Sequence, residues 1–426
     1  MHLKISGIGK ICNSELVMKG ITVVAGENFT GKSTIGKALY CIFNAFCNMQ
    51  TAIRNERISH IFRIIRSSPF GIHPILSKKL SLKLINDIEN TNIKNLSEDN
   101  IRKTIAYAIP ERLNSVLNDN EKYFIEMIDN IRRSLIVSDD KMQEVLVNRH
   151  FQSEFEGKVN HVNLPDATGN VSLIIKGKNV DVHIKDNKCN GFTDNIGIRH
   201  NAIYIDTPFV MDHVQIWNED SAHPFYMMNY GFEINHRENL RRRLGKKNSK
   251  NTLIDEVIID QKIANILSKI RSIISGEFRE ENDDLMFIEA GLIETIPFVN
   301  VSAGMKTFLV IKRLLELGEI QEQDVLILDE PEIHLHPVWQ LHFAEILVLL
   351  QKEFNLRILL TTHSPYFLNA IEAYGKMHSI KDKINYYLAE NNGDTSDVRE
   401  VTSNIDAIYK LLATPLRKLD DMEYDD

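Results

Sequence analysis

The stretch "ITVVAGENFTGKSTIGKALYCIF", beginning at Ile21, restricts the fold more than any other part of the chain. Ile21 to Ala25 is a short β-branched run and reads as a buried strand. Gly26-Glu27-Asn28-Phe29-Thr30-Gly31-Lys32-Ser33 follows and completes the pattern G-x-x-x-x-G-K-[ST]. Ile35, Ala38, Leu39 and Phe43 then recur at helical spacing. Strand, glycine loop and helix in this order form the context in which such a loop cradles phosphate. Glycines let backbone N–H groups turn toward an anion, and the helix N-terminus adds partial positive charge. Gly26, Asn28, Thr30, Gly31, Lys32, Ser33 and Thr34 are therefore candidate nucleotide-binding residues. Lys32 is expected to reach the β and γ phosphates of ATP, and the Ser33 hydroxyl to ligate Mg²⁺.

An acidic partner stands in "DVLILDEPEIHLHPVW", residues 324 to 339. Its apolar run reads as a buried strand ending in Asp329 and Glu330. Asp329 is expected to hold Mg²⁺ through its shell. Side chains alternate along a strand, so Glu330 is expected to point elsewhere, where it could orient and deprotonate a water. His334 and His336 leave two readings. They could be metal ligands, although a zinc site wants three or four and no third is evident nearby in sequence. Otherwise they shape a loop beside the nucleotide, with their imidazoles hydrogen-bonded.

Two more segments carry polar residues at element ends. In "NVSAGMKTFLVIKRLLELGEI", Ser302 and Gly304 open an apolar-faced helix. They make either a plain cap or a second phosphate-binding helix end, one that a second copy of the chain would place over its neighbour's nucleotide. In "NLRILLTTHSPYFLNAIE", the strand Ile358 to Leu360 runs into Thr361, Thr362 and His363. Open α/β sheets bind ligands at such carboxyl ends, and His363 could hydrogen-bond a γ-phosphate.

"GENFTGKST", "NVSAGMK", "LILDEPEIHLHP" and "LLTTHSP", in that order, resemble the ABC-type ATPase head of SMC-like proteins, and within them the RecF-like and OLD-family branch. "LKISGIGKICNSELVMKGITVVAGEN" is similar to the strand pair that precedes the phosphate loop in that branch. The resemblance covers the first 45 residues or so and about 285 to 385. It implies an α/β P-loop NTPase fold of ABC/SMC-head type, with a mixed sheet, an antiparallel β subdomain and a mainly helical insertion. It implies that Lys32 and Ser33 are Walker A residues and Asp329 the Walker B acid. Glu330 becomes the catalytic glutamate, Pro331 to Pro337 the D-loop region, and His363 the switch histidine. Ser302 and Gly304 become a signature motif that closes over ATP in the opposing subunit. Two departures stand out. Phe29 occupies a position where relatives carry a glycine or small residue, and bulky residues resist positive φ. The glutamine that links Mg²⁺ to the head's arm in relatives has only Gln215 as a candidate.

The resemblance and the residues between the motifs divide the chain. Residues 1–48 and 281–426 are expected to form the two parts of the ATPase head. Residues 49–150 form a helical insertion, with Phe124, Ile125, Ile128, Ile131 and Leu135 near helical spacing. Residues 151–235 are a β-rich part of the head; "GKVNHVNL", "GNVSLIIKG" and "KNVDVHIKDNKC" suggest a small antiparallel sheet with a hairpin at "KGKN". "NAIYIDTPFVMD" reads as a core strand broken at Pro208. Residues 236–280 form a helical arm that opens on "HRENLRRRLGKKNSK". This basic stretch is either a contact for nucleic-acid phosphates or a solvated helix end and linker; no aromatics interleave it.

A 43% hydrophobic and 25% charged composition is that of a soluble globular chain, and a net charge of −8 argues against wholesale coating of nucleic acid. No apolar run approaches the roughly 18 residues of a membrane helix. Lys4, Lys10, Glu15 and Lys19 interrupt any secretory signal. Cys12, Cys41, Cys47 and Cys189 show no metal spacing and read as reduced core thiols in a cytoplasmic protein. The acidic end "LDDMEYDD" is expected to be frayed. The resemblance implies a homodimer with two ATP molecules between its heads, and possible further assembly is known among relatives. The stretch after His363 is short for the Toprim nuclease of full OLD-family proteins. The resemblance thus points to defence systems such as PARIS and Septu, where an SMC-like ATPase senses infection and controls a separately encoded nuclease or toxin. A RecF-like repair ATPase that binds DNA directly is the alternative.

Overall fold

The computed structural model describes residues 1–68, 72–90, 101–103, 121–161, 163, 168–217, 235–247 and 253–414. Two compact units emerge. One is built from Met1–Cys47, Val147–Asn218 and Ile234–Asp426, and the other centres on Asn48–Leu146.

The larger unit is organised by an eleven-stranded sheet. At its centre β3 (Ile21–Gly26) lies between β12 (Arg357–Thr362) and β13 (Ile384–Asn392), parallel to both. Next to β12 come β11 (Val325–Asp329) and then β7 (Ala202–Ile205), also parallel. Every residue of β3 and β7 is buried. This is the continuous apolar signature of strands covered on both faces. The helix α1 (Lys32–Phe46) follows β3 and buries Ile35, Ala38, Leu39 and Phe43, as its spacing predicts.

The other flank is mostly antiparallel. A hairpin of β1 (His2–Ile8) and β2 (Ile11–Val17) joins β4 (Gly169–Ile175), β5 (Lys178–Lys185) and β6 (Lys188–Asp194). The hairpin expected at "KGKN" is present: Lys176 and Gly177 both take positive φ between β4 and β5. The antiparallel strands are not a sheet apart, however. β4 pairs with β1, so they extend the main sheet. Within "GKVNHVNL", Asn160 alone among the described residues pairs, in a single bridge to Ile8. A separate three-stranded antiparallel sheet lies elsewhere, from β8 (Gly276–Glu281), β9 (Asp284–Glu289) and β10 (Ile296–Pro297).

The smaller unit contains α2 (Met49–Ser67), α3 (Pro74–Asn90), α4 (Glu121–Ile136) and the start of α5 (Asp139–Glu154). Ile58, Ile61, Leu80, Leu84, Phe124, Ile128, Ile131 and Leu135 share one apolar cluster. Ile125 departs from the expected face and is exposed; Met127 is buried in the cluster instead.

Burial also corrects the thiols. Cys41 and Cys189 are buried, but Cys12 is exposed on β2 and Cys47 is half-buried. All four are free.

The basic stretch opens on α6 (His236–Leu244), ahead of α7 (Leu253–Ile273), and five of its charges meet carboxylates of the same unit. Arg237 pairs with Asp206, and Arg241 with Glu238. Glu319 receives both Arg243 at 2.9 Å and Lys246 at 2.7 Å. Lys247 pairs with Glu280. These pairs favour the helix-end reading of the stretch. Residues 248–250 and the acidic tail lie outside the described residues. Glu319 follows α8 (Ala303–Glu316), so the Arg243–Glu319 pair ties α6 to the end of that helix. Both side chains are only 11% exposed, which makes a lone charge there costly. Arg243→Glu is expected to lower the unfolding free energy by ~3 kcal/mol. Urea unfolding measures this, and an unchanged midpoint would show that the pair contributes nothing.

Candidate functional site

β3 ends at Gly26, where a Cβ would lie 2.3 Å from the Ala389 carbonyl oxygen of β13. Only glycine lets the strand leave the sheet there. The Thr30 hydroxyl donates to Glu27 O at 2.8 Å and closes the loop. Gly31 takes φ 77° immediately before α1. Phe29 also takes positive φ, 64°, and its ring is 82% exposed. A left-handed phenylalanine is strained by ~1–2 kcal/mol. The Lys10 ammonium sits over the ring, 5.7 Å from its centroid.

Lys32 is buried at 5% exposure. Its Nζ donates to Gly26 O at 2.9 Å and Glu27 O at 2.7 Å, and lies 3.5 Å from Glu330 Oε1. No acid occupies the first turn of α1, which leaves that positive helix end to an external anion.

Asp329 closes β11 and accepts two hydroxyl donors. The Thr361 hydroxyl of β12 reaches Oδ1, and the Tyr204 hydroxyl of β7 reaches Oδ2 at 3.0 Å. Glu330 does not follow strand alternation. Its φ of 48° turns the chain out of β11, and both acids line one cavity. The Thr361 hydroxyl and carbonyl accept from Glu330 N, fixing that turn. Glu330 Oε2 lies 3.3 Å from His363 Nδ1. This bond holds the Glu330 carboxyl below its usual range, with Lys32 assisting against burial, and raises the imidazole of His363. Glu330 is thus ionised and held between Lys32 and His363.

Glu332 anchors the next turn. Nearly fully buried, it accepts from the Thr362 hydroxyl and from His363 N at 3.0 Å. Burial pushes its carboxyl up. His336 is the N-cap of α9 (Pro337–Phe354), with Nδ1 accepting from Val338 N. His334 meets Phe209 edge-on at 5.2 Å. The two histidines therefore shape the loop, and among the described residues no group of three His, Cys, Asp or Glu could hold a metal alone.

One cavity of about 730 Å³ collects Asn28, Thr30, Gly31, Lys32, Ser33, Thr34, Asp329 and Glu330. Such a volume suits a small-molecule ligand, for which roughly 300–1,000 Å³ is usual. Asp206 also lines it, and sequence reasoning missed this residue together with Tyr204 and Glu332. Gln215 is not among the lining residues; it bridges Asp284 instead. Ser302 and Gly304 stand apart as well. The Ser302 hydroxyl accepts from Met305 N at 3.3 Å and caps α8. A Cβ at Gly304 would lie 3.0 Å from His334 O, so the cap packs on the loop after β11.

The family model of the AAA ATPase domain matches residues 2–368. The chain belongs to the AAA ATPase domain family. Solved structures similar to this AAA ATPase domain include the SMC head domain from Thermotoga maritima, at 12% identity, covering 94% of this chain and 98% of that one with a TM-score of 0.38. An SMC head bound to the C-winged helix domain of ScpA is 10% identical, covers 94% and 96%, and has a TM-score of 0.43. An SMC head domain with an extended coiled coil, bound to the C-terminal domain of ScpA derived from Pyrococcus furiosus, is 11% identical and covers 99% and 98%, with a TM-score of 0.41. The family assignment rests on the match over residues 2–368 and not on these alignments. No helix among the described residues is long and apolar enough to cross a membrane.

The donor set fits a magnesium nucleotide. Mg²⁺ is usually held by one or two carboxylates, with substrate phosphates and water completing its shell. Asp329 and Ser33, which line one cavity, would supply the protein's share, and Lys32 with the start of α1 would supply the positive charge. Gly26→Ala is expected to displace the loop at a cost of about 1–3 kcal/mol. A fluorescent-nucleotide titration should show at least roughly tenfold weaker binding; unaltered affinity would mean that the Ala389 contact does not set the loop.

Proposed function

We propose that this chain binds and hydrolyses ATP as an SMC-like ATPase of ABC type. The observation that carries the reading is the convergence of Lys32, Ser33, Asp329 and Glu330 on one cavity at the ends of neighbouring strands. In this reading Lys32 and the loop N–H groups, with Asn28, Thr30 and Thr34, hold the phosphates. Ser33 and Asp329 hold Mg²⁺, which when bound offsets charge developing on the phosphate oxygens. Glu330, ionised and oriented by His363, takes the proton of the attacking water. Its carboxylate must first be free of Lys32, whose ammonium is the natural partner of a phosphate.

Ser302 and Gly304 are separate from their own chain's cavity, and the first turn of α8 carries no acidic residue. A second copy facing the first would bring that helix end to the phosphates. Two heads would then enclose two ATP molecules, and hydrolysis would loosen the pair. Such a cycle suits a switch. We assign the switch to the regulatory subunit of a prokaryotic anti-phage defence system that holds or releases a separately encoded nuclease or toxin, acting in the cytoplasm. The motif series supports this role through its resemblance to the OLD-family branch. Direct DNA binding by α6 is less favoured, because its Arg237, Arg241 and Arg243 are met by Asp206, Glu238 and Glu319.

Glu330→Gln should lower ATP turnover by about 10²–10⁴-fold, as loss of a general base does. It should also leave a nucleotide-dependent dimer that light scattering detects. Turnover at the wild-type rate would remove Glu330 from the role of base. Affinity purification of the same variant from its native host tests the biological role. A stoichiometric co-encoded protein without DNA supports effector control, whereas DNA without such a partner favours repair.

A further inference from the structure

We propose that Asp206 is a second carboxylate of the cation site, holding the divalent ion either directly or through a bound water; this rests on reading the cavity as a magnesium–nucleotide site.

Register brings the two acids together. β7 runs parallel to β11 with Ile205 opposite Leu328, so Asp206 and Asp329 leave adjacent strands at the same level. Both line the cavity that contains Ser33. The two oxygens of Asp206 are used differently. Oδ2 accepts from Arg237 Nε at 2.7 Å and Nη2 at 2.5 Å, and lies 3.1 Å from His236 Nε2. Oδ1 makes no hydrogen bond or ion pair among the described residues. One oxygen is thus spent on holding the carboxylate in place, and the other is left for a ligand.

What holds Asp206 also holds Asp329. Tyr204, two residues earlier and on the same strand face, donates to Asp329 Oδ2. Its ring stacks on His236, with centroids 4.2 Å apart and planes at 23°. His236 is itself buried, with Nδ1 2.6 Å from Glu154 Oε1 and its backbone N donating to Glu154 Oε2 at 3.0 Å. A single buried imidazole therefore fixes the Asp206 carboxylate and the tyrosine that orients Asp329. Ligands of metal sites are typically oriented by such outer partners. A structural salt bridge accounts for Oδ2 alone and leaves Oδ1 unused on a residue that lines the same cavity as Asp329.

The test is Mn²⁺ binding to the full chain with ADP present, followed by electron paramagnetic resonance for the wild type, Asp206→Asn and Asp329→Asn. Asp206→Asn is expected to weaken Mn²⁺ by about 10–100-fold, while affinity for ADP in EDTA is not reduced. Unchanged Mn²⁺ affinity in Asp206→Asn, with loss in Asp329→Asn, overturns the proposal and leaves the nucleotide site intact. Unchanged affinity in both variants refutes the site reading itself. Should Asp206→Asn fail to fold, Asp206→Cys provides a second measure, because a thiolate ligand shifts preference from Mn²⁺ toward the softer Cd²⁺. An unaltered preference in that variant overturns the proposal equally.

Discussion

The parallel pairing of β3, β12, β11 and β7 sets the position of every charged group at the site. Thr361 lies opposite Asp329 in the β11–β12 ladder and opposite Val24 in the ladder to β3. A single threonine thus connects β11 to β3, the strand that launches the glycine loop. Its hydroxyl donates to Asp329 and accepts from Glu330 N. A one-residue slip between any two of these strands would turn Thr361, Asp329 or Asp206 to the opposite face. With both faces of the sheet close-packed, such a slip would also exchange the side chains fitted into the two layers, and the packing resists it. The chemistry at the strand ends is therefore as precise as the packing behind them.

Much of this was legible in the chain. Gly26 to Ser33 is local chemistry: a loop of fixed length, with glycines at the tight points, between a strand and a helix. Asp329, Glu330 and His363 were legible for the same reason, since each ends a recognisable apolar run. Tyr204, Asp206 and Glu332 were not. Each does its work across neighbouring strands or from a buried position, and nothing in its own segment names the partner. "NAIYIDTPF" identifies a strand and a break, but not that the break falls level with Asp329. The misreading of Glu330 has a related cause. Alternation holds only while the chain remains a strand, and at φ 48° it no longer does. In the basic run 236–250 the sequence leaves two readings open, because Glu319 and Glu280, which meet part of its charge, lie far along the chain.

These long-range pairs make the two ends of the site mechanically continuous. His236 opens α6 against Tyr204 and Asp206 at the cavity, and Arg243 near its end grips Glu319 beyond α8. Lys306, buried in α8, pairs with Asp212 and lies over Phe209, whose ring in turn touches His334. Both links run between the cavity and the helix that Ser302 caps. A displacement of Asp206 or Asp329 could not be confined to the cavity. It would strain a buried ion pair at one end or an aromatic contact at the other, and packed interiors answer such strain by shifting whole elements.

The electrostatic arrangement points the same way. Lys32 has three oxygen neighbours, two of them carbonyls of its own loop and one the Glu330 carboxylate. Glu330 divides itself between Lys32 and His363. Neither partnership is strong by itself, since the Lys32–Glu330 distance of 3.5 Å exceeds that of a good charged hydrogen bond. An anion at the loop competes for Lys32 and leaves Glu330 to His363 alone. In the proposed cycle, binding at the phosphate end and freedom of the acid would be one event, communicated through Lys32. This is why the site needs its lysine buried: an exposed ammonium would be screened by water and would pass almost nothing from the anion to the acid.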